Sequence, residues 1–176
     1  MLEGLSGCGK STVSRGLESE GWLRISPPPE EFRELRRLLD DDPEGCEARH
    51  LLFLSGLAQA GRFVREAINQ GRNVIADSWL HRTNATHVVL GSSLGPIEMP
   101  SLPVPNHVFF LDCTDESRQS RRVLRGTQDP YWKKLCEERH HEIRAYYMEN
   151  FPEMTLVDAN QDILGVIAAV KEQLSA

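Results

Sequence analysis

The stretch Gly4-Leu5-Ser6-Gly7-Cys8-Gly9-Lys10-Ser11-Thr12 decides the fold of this chain. It fits the pattern G-x-x-x-x-G-K-[ST], in which glycines let successive backbone N–H groups turn inward toward a polyphosphate. We expect Lys10 to reach the β- and γ-phosphates of a nucleotide and Ser11 to bind its Mg²⁺. A helix that begins at Ser11 adds the positive end of its dipole. The residues predicted to bind the nucleotide are Gly4, Gly7, Cys8, Gly9, Lys10, Ser11 and Thr12.

Composition limits the class of protein. A chain of 176 residues suits one domain with a substantial core. Its net charge of −6 argues against a broad nucleic-acid surface, because such surfaces neutralise phosphates. The four cysteines are scattered without a C-x-x-C pair, which is typical of reduced thiols in a cytoplasmic protein. No stretch approaches the roughly 20 apolar residues of a membrane span, so we expect no membrane contact.

Apolar runs and helical patterns alternate along the whole chain. The runs predict strands at 22–26, 73–77, 107–112 and 154–158, in addition to a short strand before the loop. Helical spacing predicts helices between them, including one over 46–70, one over 78–90 and a single polar one over 131–150. The alternation predicts an α/β fold of the P-loop NTPase type, with a five-stranded, mostly parallel sheet flanked by helices in one domain over 1–176.

Asp77 ends the apolar run at 73–77 and is the best candidate in the chain for a catalytic or metal-binding carboxylate. A strand between two helices is predicted to be parallel and buried, and functional groups in such sheets lie at the carboxyl ends of strands. We expect Asp77 to hold Mg²⁺ or to accept a proton from an acceptor hydroxyl. The alternative is an ordinary helix N-cap.

A helix that begins near Asp115 carries four arginines at i, i+3, i+4 and i+7: Arg118, Arg121, Arg122 and Arg125. This spacing puts four unpaired like charges on one helical face. We therefore predict a mobile helical lid over about 118–132 that clamps phosphate, with Arg118 and Arg122 as catalytic groups. The alternative is a solvated charged face. Further along, His140 and His141 are adjacent, face different directions and make a poor metal pair.

The chain resembles thymidylate kinase and the wider group of nucleoside and nucleotide kinases over nearly its whole length. Glu3–Thr12 resembles the opening E-G-L-D-G-A-G-K-S-T of that family, and Phe32–Leu39 resembles its G-E-x-I-R-x-L-L segment. Leu51–Gln59 is similar to L-L-F-A-A-D-R-A-Q, and Asn73–Trp79 to V-I-S-D-R-Y. Val157–Ala159 matches a late V-D-A. The resemblance implies a kinase that uses ATP and Mg²⁺.

The departures from the family pattern fall on the side of the phosphoryl acceptor. The resemblance implies that Ser6 replaces a loop acid, Ser26 a glutamate, and Ser78 the arginine that grips the acceptor phosphate. Gly56-Leu57 replaces an Asp-Arg pair, and Thr86-His87 the Tyr-Gln pair that meets thymine. Losing arginines that pair with a phosphate removes charge-assisted hydrogen bonds. Thymidylate is therefore not the expected acceptor.

These observations together predict an ATP-dependent phosphotransferase. We expect the γ-phosphoryl group to move to a small acceptor, either nucleoside- or nucleotide-like or a non-nucleotide alcohol. The residues predicted to surround the acceptor are Ser6, Ser26, Phe32, Trp79, Arg82 and His87. Two alternatives stay open: a catalytically silent ATP-binding protein, and a polynucleotide-end kinase, which the acidic charge disfavours. A homodimer also stays open.

Overall fold

The computed structural model describes residues 1–123 and 130–175. Along the chain it contains β1 (Leu2–Glu3), α1 (Lys10–Ser19), β2 (Leu23–Ile25), a 3₁₀ turn (Glu30–Phe32), α2 (Arg33–Asp40), α3 (Cys46–Asn69), β3 (Val74–Ala76), α4 (Leu80–Val89), β4 (Phe109–Asp112), α5 (Asp115–Val123), α6 (Tyr131–Glu138), α7 (His140–Asn150), β5 (Thr155–Asp158) and α8 (Ile163–Ser175). Among the described residues, no helix combines the length and apolar character needed to cross a membrane.

All strand pairs are parallel, as expected for strands joined by helices. One sheet has the order β1-β4-β5, and a second contains β2 and β3. The two meet where Leu2 forms an isolated parallel bridge with Asp77, and Ser78 N–H donates to Leu2 C=O at 2.9 Å. The prediction of one five-stranded sheet is thus corrected to a three-stranded and a two-stranded sheet. Since β1 has only two residues, its contact with the β3 side is limited to this bridge.

The core surrounds β4, whose residues Phe109, Phe110 and Leu111 are at most 1 % exposed. Helices cover both faces of a parallel sheet, so its strands read as continuous apolar runs. Val13 and Leu17 of α1 belong to the same buried cluster as β4. The carboxyl ends of β1, β3 and β4 therefore lie on a rigid base that carries the loops above it.

Two predicted helices differ from those observed. The helix predicted over 131–150 is two helices, because Arg139 has φ −105° and ψ 22° and interrupts the helical backbone between α6 and α7. The helix predicted from Ser78 begins at Leu80, since Ser78 takes the left-handed φ of 73° and cannot start it. Both breaks redirect side chains near the candidate site.

Candidate nucleotide-binding site

The loop between β1 and α1 has the backbone of a phosphate cradle. Gly4, Gly7 and Gly9 have φ values of 135°, 92° and 94°, which L side chains rarely adopt. A Cβ on Gly4 would lie 2.6 Å from the carbonyl oxygen of Leu111, and one on Gly7 would lie 2.8 Å from that of Arg118. The glycines are therefore needed both for the turn and for its close packing on β4 and α5.

Helix α1 begins directly after the left-handed Gly9. The N–H groups of Thr12 and Val13 both donate to the Gly9 carbonyl, at 2.9 and 3.0 Å. The amides that precede them in the first turn have no acceptor within the helix. These donors and the positive end of the helix dipole are thus available to an anion.

Lys10 crosses the loop and donates to the carbonyls of Gly4 and Leu5, both at 2.8 Å. Burial lowers its pKa, and the charge of Arg82 lowers it further, while the Asp77 carboxylate opposes the shift. Arg82, from α4, donates to the same Gly4 carbonyl at 3.0 Å. Two cations from different elements therefore converge on the loop.

Asp77 lies at the end of β3 and is 7 % exposed. Arg24 Nη2 pairs with its Oδ2 at 3.3 Å, while Arg24 Nε donates to Ser14 Oγ at 2.8 Å. The structure does not show the N-cap alternative: the residue before α4 is Trp79, and in the described part of the chain no side chain caps that helix. Sequence reasoning missed Arg24, because a cation inside a short strand belongs to no motif.

Glu3 is a second buried carboxylate that sequence reasoning did not assign to the site. It is fully buried directly before the loop, and its two oxygens accept from Trp79 N–H at 2.9 Å and Tyr147 O–H at 2.8 Å. Burial raises the pKa of Tyr147 well above its usual value, and the Glu3 charge adds to the shift. Glu3 thereby connects the loop to the beginning of α4 and to α7.

Arg118 and Arg122 of α5 pair with carboxylates, which corrects the prediction of unpaired charges on one face. Arg118 is fully buried and forms a two-pronged ion pair with Glu137 at 2.8 and 3.2 Å. Its other bonds go to Asp115 at 3.1 Å and to the Ser6 carbonyl at 2.9 Å. Arg122 also pairs with Glu137. Arg118 thus supports the loop from below, and its catalytic role, like that of Arg122, stays a prediction.

A cavity of about 280 Å³ opens beside the loop. Arg121 closes one side of it by donating to the Ala159 carbonyl at 2.8 Å, which brings the V-D-A segment to the loop. Its lining includes Cys8, Gly9, Thr12, Arg121, Ala159 and Gln161. Arg125 and the part of the predicted lid at 124–129 lie outside the described residues.

The structure separates the residues predicted to surround the acceptor. Ser6 is part of the loop, where its carbonyl accepts from Arg118, and Arg82 reaches the loop by donating to the Gly4 carbonyl. Phe32 is half-buried at the end of the 3₁₀ turn. Trp79 is 5 % exposed in an apolar cluster with α3 residues, and His87 lies in a buried polar network.

That network fixes the place of α3 against α2 and α4. Arg49 donates to Asp40 Oδ1 and to His87 Nε2, both at 2.8 Å. His87 Nδ1 lies 2.7 Å from the Thr83 carbonyl, so we assign its proton to Nδ1. Burial lowers the pKa of His87 well below its usual value, and the charge of Arg49 adds to the shift. The Arg49 guanidinium also lies 4.7 Å from the ring of Phe53. The sequence gives no signal for Arg49, whereas Phe53 falls in the L-L-F resemblance.

His140 and His141 do not diverge as expected. Their Nε2 atoms lie 3.1 and 3.6 Å from the carboxylate oxygens of Asp115, and their rings are 3.9 Å apart. The break before α7 turns both rings toward α5. The hydrogen bond from His140 lowers the pKa of Asp115, and Arg118 contributes to the same shift. The expected divergence of the two rings is therefore corrected, while the view that they make a poor metal pair stays a prediction.

Fold and loop together define a P-loop kinase architecture of the nucleoside and nucleotide kinase type, which confirms the predicted resemblance at the level of fold. No protein-family model matches the chain, and no curated protein matches it either. A structure of deoxyadenosine kinase from M. mycoides with the products dCMP and dCDP is 19 % identical, with a TM-score of 0.75 over 99 % of this chain and 97 % of that one. Thymidylate kinase from Candida albicans is 18 % identical, with a TM-score of 0.80 over 99 % and 89 %.

Proposed function

We propose that the protein is an ATP-dependent kinase that transfers the γ-phosphoryl group to a nucleoside- or nucleotide-like small acceptor. The observation that carries this proposal is the loop at Gly4–Thr12, with three glycines in positive φ and Lys10 held across it. The fold shared with a deoxyadenosine kinase and a thymidylate kinase supports the acceptor class.

The donor nucleotide fits the loop and the cavity beside it. The triphosphate would accept from the loop amides and from Lys10, which exchanges its two carbonyl partners for phosphate oxygens. The cavity of about 280 Å³ between Arg121 and the loop would hold the adenine. Ser11 and Asp77 offer the oxygen ligands that Mg²⁺ prefers. When bound, Mg²⁺ would neutralise charge on the phosphates.

Asp77 and Arg82 are the groups best placed to act on the acceptor. Asp77 is at the carboxyl end of β3, where ligands of parallel sheets bind. Its carboxylate would accept the acceptor's hydroxyl proton, while Arg24 fixes its position. Arg82 reaches the loop from one turn beyond Ser78 and would contact a phosphate in place of the missing arginine.

Lys10→Ala tests the proposal, with Lys171→Ala as the matched control. Lys171 is on α8, pairs with Glu20 at the surface, and has no part in the proposed site. Calorimetry with ATP and acceptor-dependent ADP release would be measured for both, across nucleosides, nucleotides and small alcohols. We expect Lys10→Ala to lose at least about 100-fold in kcat/KM, because it removes a charge-assisted contact to the transferred group. Wild-type protein without turnover on any acceptor would overturn the proposal.

A catalytically silent nucleotide-binding protein is the second candidate. Ser26 and Ser78 favour it, because they stand where the resemblance implies a glutamate and an arginine. ATP binding in the same calorimetric experiment without any ADP release would establish it. The predicted cytoplasmic location, the single domain over 1–176 and the open question of a homodimer stay predictions.

A further inference from the structure

Two cysteines that are far apart in sequence meet beneath the phosphate loop. Cys8 lies within the loop, and Cys113 follows β4 immediately. Their Sγ atoms are 3.5 Å apart, although 105 positions separate them along the chain. Both are free thiols. The contact exists because the carboxyl ends of β1 and β4 are neighbours in the parallel sheet.

The two thiols differ in chemical character. The hydrogen bond from Cys113 S–H to Cys8 Sγ lowers the pKa of Cys8, and the charges of Lys10 and Arg118 lower it further. The same contact raises the pKa of Cys113. Thiolates beside cations are the reactive form of cysteine. Cys8 is thus the nucleophile of the pair, and Cys113 is the thiol that can resolve an oxidised Cys8.

Both cysteines line cavities, although Cys8 is only 2 % exposed and Cys113 is half-buried. Cys8 lines the cavity of about 280 Å³ beside the loop. Cys113 lines a second cavity, of about 630 Å³, together with Asp115 and His140. Arg121 approaches Cys113 Sγ at 4.0 Å and places a further cation near the pair. We expect a peroxide to approach Cys8 from the cavity beside the loop.

We propose that Cys8 is a modification site for hydroperoxides and that Cys113 converts the product into a disulfide. The Cys8 thiolate attacks the terminal peroxide oxygen and the O–O bond breaks. Cys8 becomes a sulfenic acid, and the leaving group is hydroxide from hydrogen peroxide or an alkoxide from an organic hydroperoxide. Cys113 then attacks the Cys8 sulfur, and its proton leaves with the sulfenic oxygen as water. With hydrogen peroxide, the sum is two thiols and one peroxide giving one disulfide and two waters.

The disulfide would deform the phosphate loop. The S–S separation has to shorten from 3.5 Å to about 2.05 Å. The loop cannot absorb this shift by sliding toward α5, because Gly7 already packs on the Arg118 carbonyl. Movement of Cys8 therefore redirects the amides on either side of it. This consequence rests on the proposed nucleotide site, and we expect at least a tenfold loss of ATP affinity, reversed by dithiothreitol.

Mass spectrometry of non-reduced digests tests the linkage directly. After treatment of the full chain with hydrogen peroxide, we expect a peptide pair joined through Cys8 and Cys113. The double variant Cys46→Ser/Cys136→Ser keeps this link, whereas Cys8→Ala abolishes it. If Cys8→Ala does not fold, Cys113→Ser provides the second test, because its Cys8 should then stop at a sulfenic acid that dimedone traps. Absence of the Cys8–Cys113 link in oxidised wild-type protein would overturn the proposal.

Nucleotide binding separates this proposal from the proposed function. Calorimetry with ATP on reduced and oxidised protein should show the loss only after oxidation, and Cys113→Ser, which leaves every loop residue in place, should lose much less affinity because no disulfide can form. An oxidised protein that carries the disulfide and binds ATP unchanged would overturn the coupling to the loop. A reduced protein that binds no ATP would instead overturn the proposed function, while the digest would still decide whether the disulfide forms.

Discussion

The phosphate loop and the interface between α2, α3 and α4 each contain a cationic side chain, but the two cations have different kinds of partner. In the loop, Lys10 bonds to backbone carbonyls that a ligand can replace. In the interface, Arg49 bonds to Asp40 and His87, which are side chains buried with it. Under the proposed function the first cation would bind a nucleotide, whereas the second holds helices together.

This difference explains why a sequence predicts a phosphate site more readily than an acceptor site. A phosphate is recognised by contiguous backbone amides, so nine successive residues are enough to predict its site. An acceptor is recognised by side chains from several elements, whose positions depend on packing. Here α3 supplies Arg49 and Phe53 to that packing, although no motif marks Arg49. The following changes test whether the two regions act separately, in order of decreasing effect.

Arg49→Met should produce the largest effect on stability. It removes the cation that pairs with buried Asp40, and we expect a loss of about 3 kcal/mol in the free energy of unfolding, since Arg36 still pairs with that carboxylate. Urea titration measures it. Arg33→Met is the matched control, because its pair with Glu30 is exposed and contributes at most about 1 kcal/mol. A change in ATP affinity of folded Arg49→Met would show that the regions are coupled.

Asp77→Asn should lower kcat about 100-fold and lower the affinity for Mg²⁺-ATP by a much smaller factor, because the amide oxygen can still bind the metal. The neutral amide keeps the shape of the side chain but accepts a proton poorly. Steady-state kinetics with the best acceptor would measure the effect. Asp112→Asn is the control, because Asp112 ends β4 and pairs with Arg144 at 2.6 Å, outside the proposed site. Equal losses in the two variants would remove Asp77 from the reaction.

Gly7→Ala should cost about 2 kcal/mol of stability and lower ATP affinity at least tenfold. The added Cβ would lie 2.8 Å from the Arg118 carbonyl oxygen at a φ of 92°. Gly21→Ala is the control that measures the cost of a positive φ alone, because Gly21 has φ 96° and no described atom lies within 4 Å of the added Cβ. We expect it to cost about 1 kcal/mol and to bind ATP normally. Thermal unfolding and calorimetry compare the two, and normal ATP binding by Gly7→Ala would contradict the cradle geometry.

His87→Gln should flatten the pH dependence of stability. Burial lowers the pKa of His87 in the folded state, with Arg49 and His50 adding to the shift, so the unfolded chain binds a proton first as pH falls. The free energy of unfolding should therefore decrease below about pH 6.5, by at most about 1.4 kcal/mol per pH unit for each such histidine. Urea titrations at pH 7.5, 6.5 and 5.5 measure the slope. His107→Gln, on an exposed histidine, should keep it; an unchanged slope in His87→Gln would exclude His87 as its source.

The sequence predicts the scaffold well because its signals are local. Val74–Ala76 and Phe109–Asp112 are apolar runs between helical patterns, and both form parallel strands. The sequence predicted one continuous five-stranded sheet. Whether β1 and β3 pair along their length depends on where these two short strands end in space, and the sequence does not specify this. The break at Arg139 was missed for a similar reason, because the residues on both sides favour helix.

In the candidate site, the sequence likewise predicted charged residues but not their partners. The spacing correctly places Arg118, Arg121 and Arg122 on a helix, but the carboxylate that pairs with Arg118 and Arg122 is Glu137 of α6. Arg24 and Glu3 were missed because each acts through partners more than 50 residues away. Pairing between distant elements leaves no periodic trace in a single sequence. The loop could be predicted, whereas the groups that support it could not.

The hydrogen bonds of the buried Glu3 carboxylate affect which residues of this protein can change during evolution. It accepts from the backbone N–H of Trp79, a donor that every residue except proline supplies, and from Tyr147 on α7. The beginning of α4 is thereby anchored next to the loop by a bond that does not depend on the identity of residue 79. Side chains on α4 can therefore change over evolutionary time while the helix keeps its distance from the loop, and under the proposed function these side chains would be the ones that face the acceptor.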